Sequence, residues 1–172
     1  MHPVADEISR QEFQKRIEVH QRAGIAVIYV DESGFAHDQP RTHGWSVRGE
    51  RCYGTQDWQA RGRTNVIGAL LNNRLLNVGL FQGSINSDVF HAWLIQELLP
   101  QAPPEAVIVM DNAAFHKRHD IQAAIKQAGM TPEYLPPYSP DLNPIEHKWA
   151  QAKALRRKRR CDVHELFSDE LF

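Results

Sequence analysis

Cysteine is scarce in this chain. Cys52 and Cys161 are its only two, and they lie far apart. They form neither a zinc-binding spacing nor a disulfide framework, which points to a reducing compartment. Long apolar runs are missing as well. No segment approaches the ~20 residues of a membrane span, and the polar, acid-bearing N-terminus is unlike a secretory signal. Net charge is almost absent, with 20 Lys and Arg against 21 Asp and Glu, so overall charge gives no sign of nucleic-acid binding. Internal repeats and low-complexity linkers are also lacking. What remains is 172 residues of ordinary globular composition, 42% hydrophobic and 24% charged. That length fits one domain and buries about 70% of the surface its unfolded chain would expose.

The charge is unevenly placed. Residues 147–160, "HKWAQAKALRRKRR", hold seven Lys or Arg and no acid. Such a stripe is either a phosphate-binding footprint or a solvated helix end whose cations suit the macrodipole.

Periodicity predicts the elements. A short helix over "EFQKRIEVHQR" precedes "IAVIYVD" (25–31), a β-branched run without helical period that reads as a buried strand ending at Asp31. Residues 32–64 read as loop plus a strand near "GWSVRG". "TNVIGALLNN" and "RLLNVGLFQG" read as two antiparallel strands turning at Asn72-Asn73. "SDVFHAWLIQELLP" reads as a helix that Pro100 ends. "AVIVMD" (106–111) reads as a second buried strand, "RHDIQAAIKQAG" as a helix stopped by Gly129, and "TPEYLPP" as a short strand. A last helix runs from about Pro144 to Arg160. Strands first, then strand–helix alternation, imply an α/β fold: a mixed sheet with an antiparallel meander and parallel additions, flanked by helices.

Two of the buried strands end in aspartate, Asp31 and Asp111. If they are parallel neighbours, both carboxylates project at one edge of the sheet and repel. A divalent cation with hard oxygen ligands, Mg²⁺ or Mn²⁺, removes the conflict, and a pair of such ions supports phosphoryl transfer. Each acid is equally open to reading as a turn or cap residue.

Glu146 is the third acid. Asn143 as N-cap, Pro144 at N1 and Glu146 at N3 come close to a capping box. A capping role and a ligand role are compatible, because the first helical turn holds an acid in a fixed direction. Ahead of it, Pro136, Pro137, Pro140 and Pro144 restrict φ and stiffen the loop. That stiffness suits a ligand that must be held within a fraction of an ångström, or a plain rigid connection. At ~100° per residue, Lys153, Arg157 and Arg160 fall in line with Glu146, while Ile145, Trp149, Ala152 and Leu155 form the core stripe.

These residues carry a resemblance. "YVDESGF" (29–35), "VMDNAAFH" (109–116) and "LPPYSPDLNPIEHKW" (135–149) resemble the three motif blocks of DDE transposases of the mariner-like superfamily, in its bacterial insertion-sequence branch. Asp111 and Glu146 have 34 residues between them, a spacing similar to that group's. The resemblance covers about residues 25–160. It implies a ribonuclease H-like fold with a five-stranded sheet, and Asp31, Asp111 and Glu146 as catalytic ligands of two Mg²⁺ ions, with Mn²⁺ as substitute. The implied reaction is DNA strand cleavage by water, then attack of the freed 3′-hydroxyl on a target phosphodiester, with no covalent enzyme–DNA intermediate. Glu32, Asn112 and His116 lie next to the ligands and are candidates for orienting water or touching DNA. Lys153, Arg157 and Arg160 are candidates for gripping the DNA backbone. Trp45, Arg48, Arg51, Arg61 and Arg63 lie in the loop-rich insert, where they serve either phosphate contact or solubility.

The resemblance sets the divisions: a 1–24 N-terminal extension, a 25–160 DDE catalytic domain and a 161–172 C-terminal tail. About 24 residues ahead of the first strand are too few for the family's helix-turn-helix domains. End recognition would then come from an upstream DNA-recognition polypeptide, with homodimerisation as a further expectation. Two rival readings stand beside the transposase. One is a truncated, non-catalytic remnant that binds DNA or a full-length partner. The other is a metal-dependent endonuclease without strand transfer. All three place the chain in the cytoplasm, at the nucleoid.

Overall fold

The computed structural model describes residues 6–36 and 62–168. The expected strand near "GWSVRG", together with Trp45, Arg48, Arg51 and Arg61, lies outside the described residues.

Helix α1 (Glu7–Arg22) begins at Asp6, whose side chain accepts from the Ile8 amide. Strand β1 (Val27–Ala36) follows, then β2 (Arg63–Leu71) and β3 (Arg74–Phe81). β2 and β3 form the predicted hairpin. Asn72 and Asn73 have φ of 49° and 66°, the pair of left-handed residues a two-residue turn needs and asparagine tolerates. Beyond them come α2 (Ser87–Trp93), α3 (Leu99–Gln101), β4 (Val107–Met110), α4 (His119–Gln127), β5 (Thr131–Tyr134), α5 (Ile145–Arg159) and α6 (Val163–Ser168).

The strands form one sheet in the order β3-β2-β1-β4-β5. β1, β2 and β3 run antiparallel, and β4 and β5 are parallel additions beside β1. This is the mixed sheet expected from the order of elements.

Strand alternation divides the core between two faces. Ile28, Val30, Ile67, Ala69, Ile108 and Met110 point to one, where they meet Phe90, Trp93, Ile121 and Ile125 of α2 and α4. On the other, Val27, Val107 and Val109 meet Phe13 and Ile17 of α1. Beside them Phe35, Val66 and Leu70 meet Ile145, Trp149 and Ala152 of α5 and Val163 and Leu166 of α6. Each fully buried Val, Ile, Leu or Phe among them contributes about 1.5–3 kcal/mol. Segments on both sides of 25–160 therefore pack on the sheet.

Two expectations need correction. β1 does not end at Asp31 but runs on to Ala36, because β2 continues the ladder from Asp31↔Gly68 to Ala36↔Arg63. Pro100 does not end its helix. The chain widens into a π turn over Leu94–Leu98, where the Leu99 amide bonds to the Leu94 carbonyl, and runs on through Pro100 to the end of α3 at Gln101. Among the described residues, no helix is long and apolar enough to cross a membrane.

Candidate active site

β1 and β4 pair in parallel with Val27 opposite Val107, Ile28 opposite Ile108 and Tyr29 opposite Val109. Carried two residues further, that register sets Asp31 level with Asp111. β4 has ended by then, so Asp111 stands at the sheet edge while Asp31 is still held by β2. Oxygens of Asp31, Glu32 and Asp111 all lie within 4.8 Å of one another. Glu146, in the first turn of α5, is not one of these three but faces Asp31 closely enough to raise its pKa.

His116 joins two of these acids. Its ring is fully buried, tilted against Phe90 and Phe115 with centroids 4.7 and 4.1 Å away. Nδ1 lies 2.6 Å from Asp111 and Nε2 lies 2.7 Å from Glu32. Burial opposes a charge on His116, but its bonds to Asp111 and Glu32 prevail and raise it to about 9. It is therefore an imidazolium at neutral pH, and both nitrogens donate. Burial also works against charge at Asp111, yet the hydrogen bond and charge of His116 and the Ala113 amide hold this carboxyl below its usual value.

Asp31 behaves in the opposite way. Burial, the nearby Glu146 carboxyl and the charge of Glu32 push it up to about 8. It keeps a proton at neutral pH. Like-charged carboxyls take up a proton in this way when no cation separates them. The donors are all carboxylate oxygens, hard ligands of the kind Mg²⁺ and Mn²⁺ take. The donor set and the held proton together fit a divalent cation.

Local sequence aims each acid. Asn143 is buried; its Oδ1 accepts from the Ile145 amide at 3.1 Å and its Nδ2 reaches the Val30 carbonyl at 3.5 Å. Pro144, not Asn143, is the N-cap of α5, which puts Glu146 at the second helical position; Asn143 stands just ahead and ties the helix start to the residue before Asp31. The amide of Asn143 is bonded to the Pro140 carbonyl, and Glu146 turns to Asp31 rather than back to close a capping box. Trp149 donates from Nε1 to Asp31 at 3.3 Å. Its indole lies over Gly68, the partner of Asp31 on β2, where a Cβ would come within 2.4 Å of the ring.

Asn112 is exposed in the bend after Asp111. The row of cations on α5 is mixed. Arg157 and Arg160 are exposed, and Arg160 closes the helix at φ 54°. Lys153 is half-buried with Nζ 5.3 Å from the centre of the Phe35 ring. Arg156 is buried and donates to the Cys161 carbonyl, joining a core stripe against which Leu155 packs partly buried.

The sheet order and its layers define the ribonuclease H-like class of α/β domains. Within it, the chain belongs to the DDE superfamily endonuclease family, whose family model matches residues 26–166. No curated protein matches the chain in sequence. Among solved structures, the catalytic domain of Mos1 mariner transposase superposes with a TM-score of 0.66 at 13% identity, over 98% of this chain and 79% of that one. The same domain with raltegravir and Mg gives 0.66 at 15%, over 98% and 80%. The Mos1 strand transfer complex gives 0.62 at 17%, over 90% and 49%. At these identities the likeness is one of fold. The chain spans about half the length of the Mos1 chains in the strand transfer and paired-end complexes.

Proposed function

We propose that this domain is the catalytic part of a DNA transposase, cutting DNA strands and joining the freed 3′ end to a target phosphodiester. The observation that supports it best is the cluster of Asp31, Glu32 and Asp111 oxygens, with Glu146 beside Asp31, within a chain of the DDE superfamily endonuclease family. Asp31, Asp111 and Glu146 would hold two Mg²⁺ or Mn²⁺ ions. When bound, such ions activate the attacking oxygen and stabilise the leaving one.

The chain's own residues prepare the site. Asp31 gives up its proton as the site fills. Trp149, braced on Gly68, keeps Asp31 pointed at the gap between the strands. His116 fixes one oxygen of Asp111 and leaves the other to face the cluster, and it anchors Glu32 at the rim. Asn143 fixes the start of α5 and so the direction of Glu146. Arg157 and Arg160 lie along the DNA backbone and neutralise phosphates. A homodimer or a separate DNA-recognition polypeptide brings two ends together at the nucleoid.

The test is cleavage of a labelled duplex in Mg²⁺ or Mn²⁺, with a pre-cut 3′ end added in a second reaction. Cutting and joining by the unmutated chain, both lost in Asp111→Asn while DNA retention persists, is the expected result. Cutting without joined product would leave an endonuclease. DNA retention with no cutting under either metal would overturn the catalytic reading.

A further inference from the structure

Helix α1 lies ahead of the family-matched residues, yet it grips the loop that leads to Glu146. Arg10 is only 9% exposed. Its Nη1 and Nη2 donate to the two oxygens of Asp141 at 3.0 and 2.8 Å. Phe13 and Ile17, on the same face of α1, are buried with Leu135, and Leu142 leans on that cluster. Further along, Arg16 and His20 reach Glu133 of β5 at 3.2 and 3.6 Å. α1 is thus fastened to β5 and to the proline loop together.

The loop itself explains why an outside anchor matters. Its prolines limit freedom within the loop, but they do not set where the loop stands against the sheet. Asp141 sits in the short 3₁₀ turn Pro140–Leu142. Asn143 comes next, bonded to β1 and to α5, and Glu146 follows three residues later. A forked, two-bond pair fixes direction as well as distance.

We propose that Arg10 is a positioning residue, which acts through Asp141 to set where the proline loop delivers Glu146. α1 is on this view part of the active-site scaffold. The proposal rests on the reading of Glu146 as a site acid.

The test uses the whole chain with Arg10→Met, which keeps the apolar stem and removes the fork, and Asp141→Asn. Two readouts are taken: hydrogen exchange at the amides of Leu142, Asn143 and Glu146, and the kcat and KM of DNA cutting. Exchange at those three amides should rise about tenfold in both variants, with β1 and β4 amides unchanged, as in a local opening. Turnover should fall by about 10- to 100-fold, the scale of a small misplacement of a catalytic group. KM for DNA should stay within about twofold. The double variant should be no worse than either single, since both remove one contact. Ile17→Val, which loosens α1 without touching the pair, should leave the three amides no faster relative to the core. Unchanged exchange at the loop, or a rise spread evenly over the sheet, would overturn the proposal. If the unmutated chain cuts no DNA, the catalytic reading falls and the exchange data still decide whether Arg10 holds the loop.

Discussion

Asp31 holds a proton in a strand whose neighbours are mostly hydrocarbon, and that makes the metal-free protein sensitive to pH. An unfolded aspartate titrates near 3.9, whereas folded Asp31 titrates at about 8. Between these values the native state binds more protons than the unfolded chain, so stability falls as pH rises. The contribution is full below the unfolded value and is gone once pH passes about 8. His116 acts in the same sense over a higher window, closing at about 9. Asp31→Asn should therefore raise the metal-free Tm by several degrees at pH 8, with the gap narrowing toward pH 4. Mg²⁺ should raise the Tm of the unmutated protein at pH 8 and leave Asp31→Asn nearly unmoved. Calorimetric scans across pH, with and without the ion, check both. At this scale the sequence was informative about Asp31 and Asp111, because a charge at the end of a β-branched run is conspicuous. It was silent on the hydrogen bond from Trp149, since periodicity assigns a residue to a face but says nothing of its outermost atoms.

α5 meets β2 through one close approach. An added Cβ at Gly68 would lie 2.4 Å from Cη2 and 2.8 Å from Cζ2 of Trp149. Gly68→Ala should cost about 1–3 kcal/mol, the range for overpacking a tight core, and should draw the indole away from Asp31. In a Trp149→Phe background, which lacks those ring atoms, the same change should cost less than half as much; urea midpoints of the four proteins measure it. The elements themselves were largely legible. β2 and β3 announced their hairpin through Asn72-Asn73, and α4 its end through Gly129, which has φ 76°. Legibility failed where a partner strand decides the outcome. β1 continues past Asp31 through "ESGFA" because β2 supplies hydrogen bonds there, a condition local propensity does not contain. α1 was similarly blurred. Its inward stripe includes Arg10 beside Phe13 and Ile17, while Ile8 and Val19 face solvent.

At the scale of the whole molecule, the exposed cations of α5 are the part of the proposed DNA contact that salt can test. Each phosphate contact contributes about 0.9 to the slope of log K against log salt. Arg157→Ala and Arg160→Ala should each lower that slope by about 1. Lys153→Ala should change it little, because this side chain lies over the Phe35 ring. Fluorescence anisotropy at several salt concentrations gives the slopes. The order of strands and helices in the sequence was enough to predict a mixed sheet. It did not reveal that Val163 and Leu166 close the second face, since six residues carry too little pattern to announce a helix. The spacing of Asp31 and Asp111 has a different guardian. β1 and β4 step forward together from Val27 and Val107, so the two acids part only if one strand slides along the other. A slide of one residue would turn Ile108 and Met110 away from α2 and α4 and into the face that Val107 and Val109 fill against α1. A slide of two would carry Asp111 about 6.6 Å away and break the pairing at every rung. Oily side chains that carry no charge thus preserve the gap between two acidic ones.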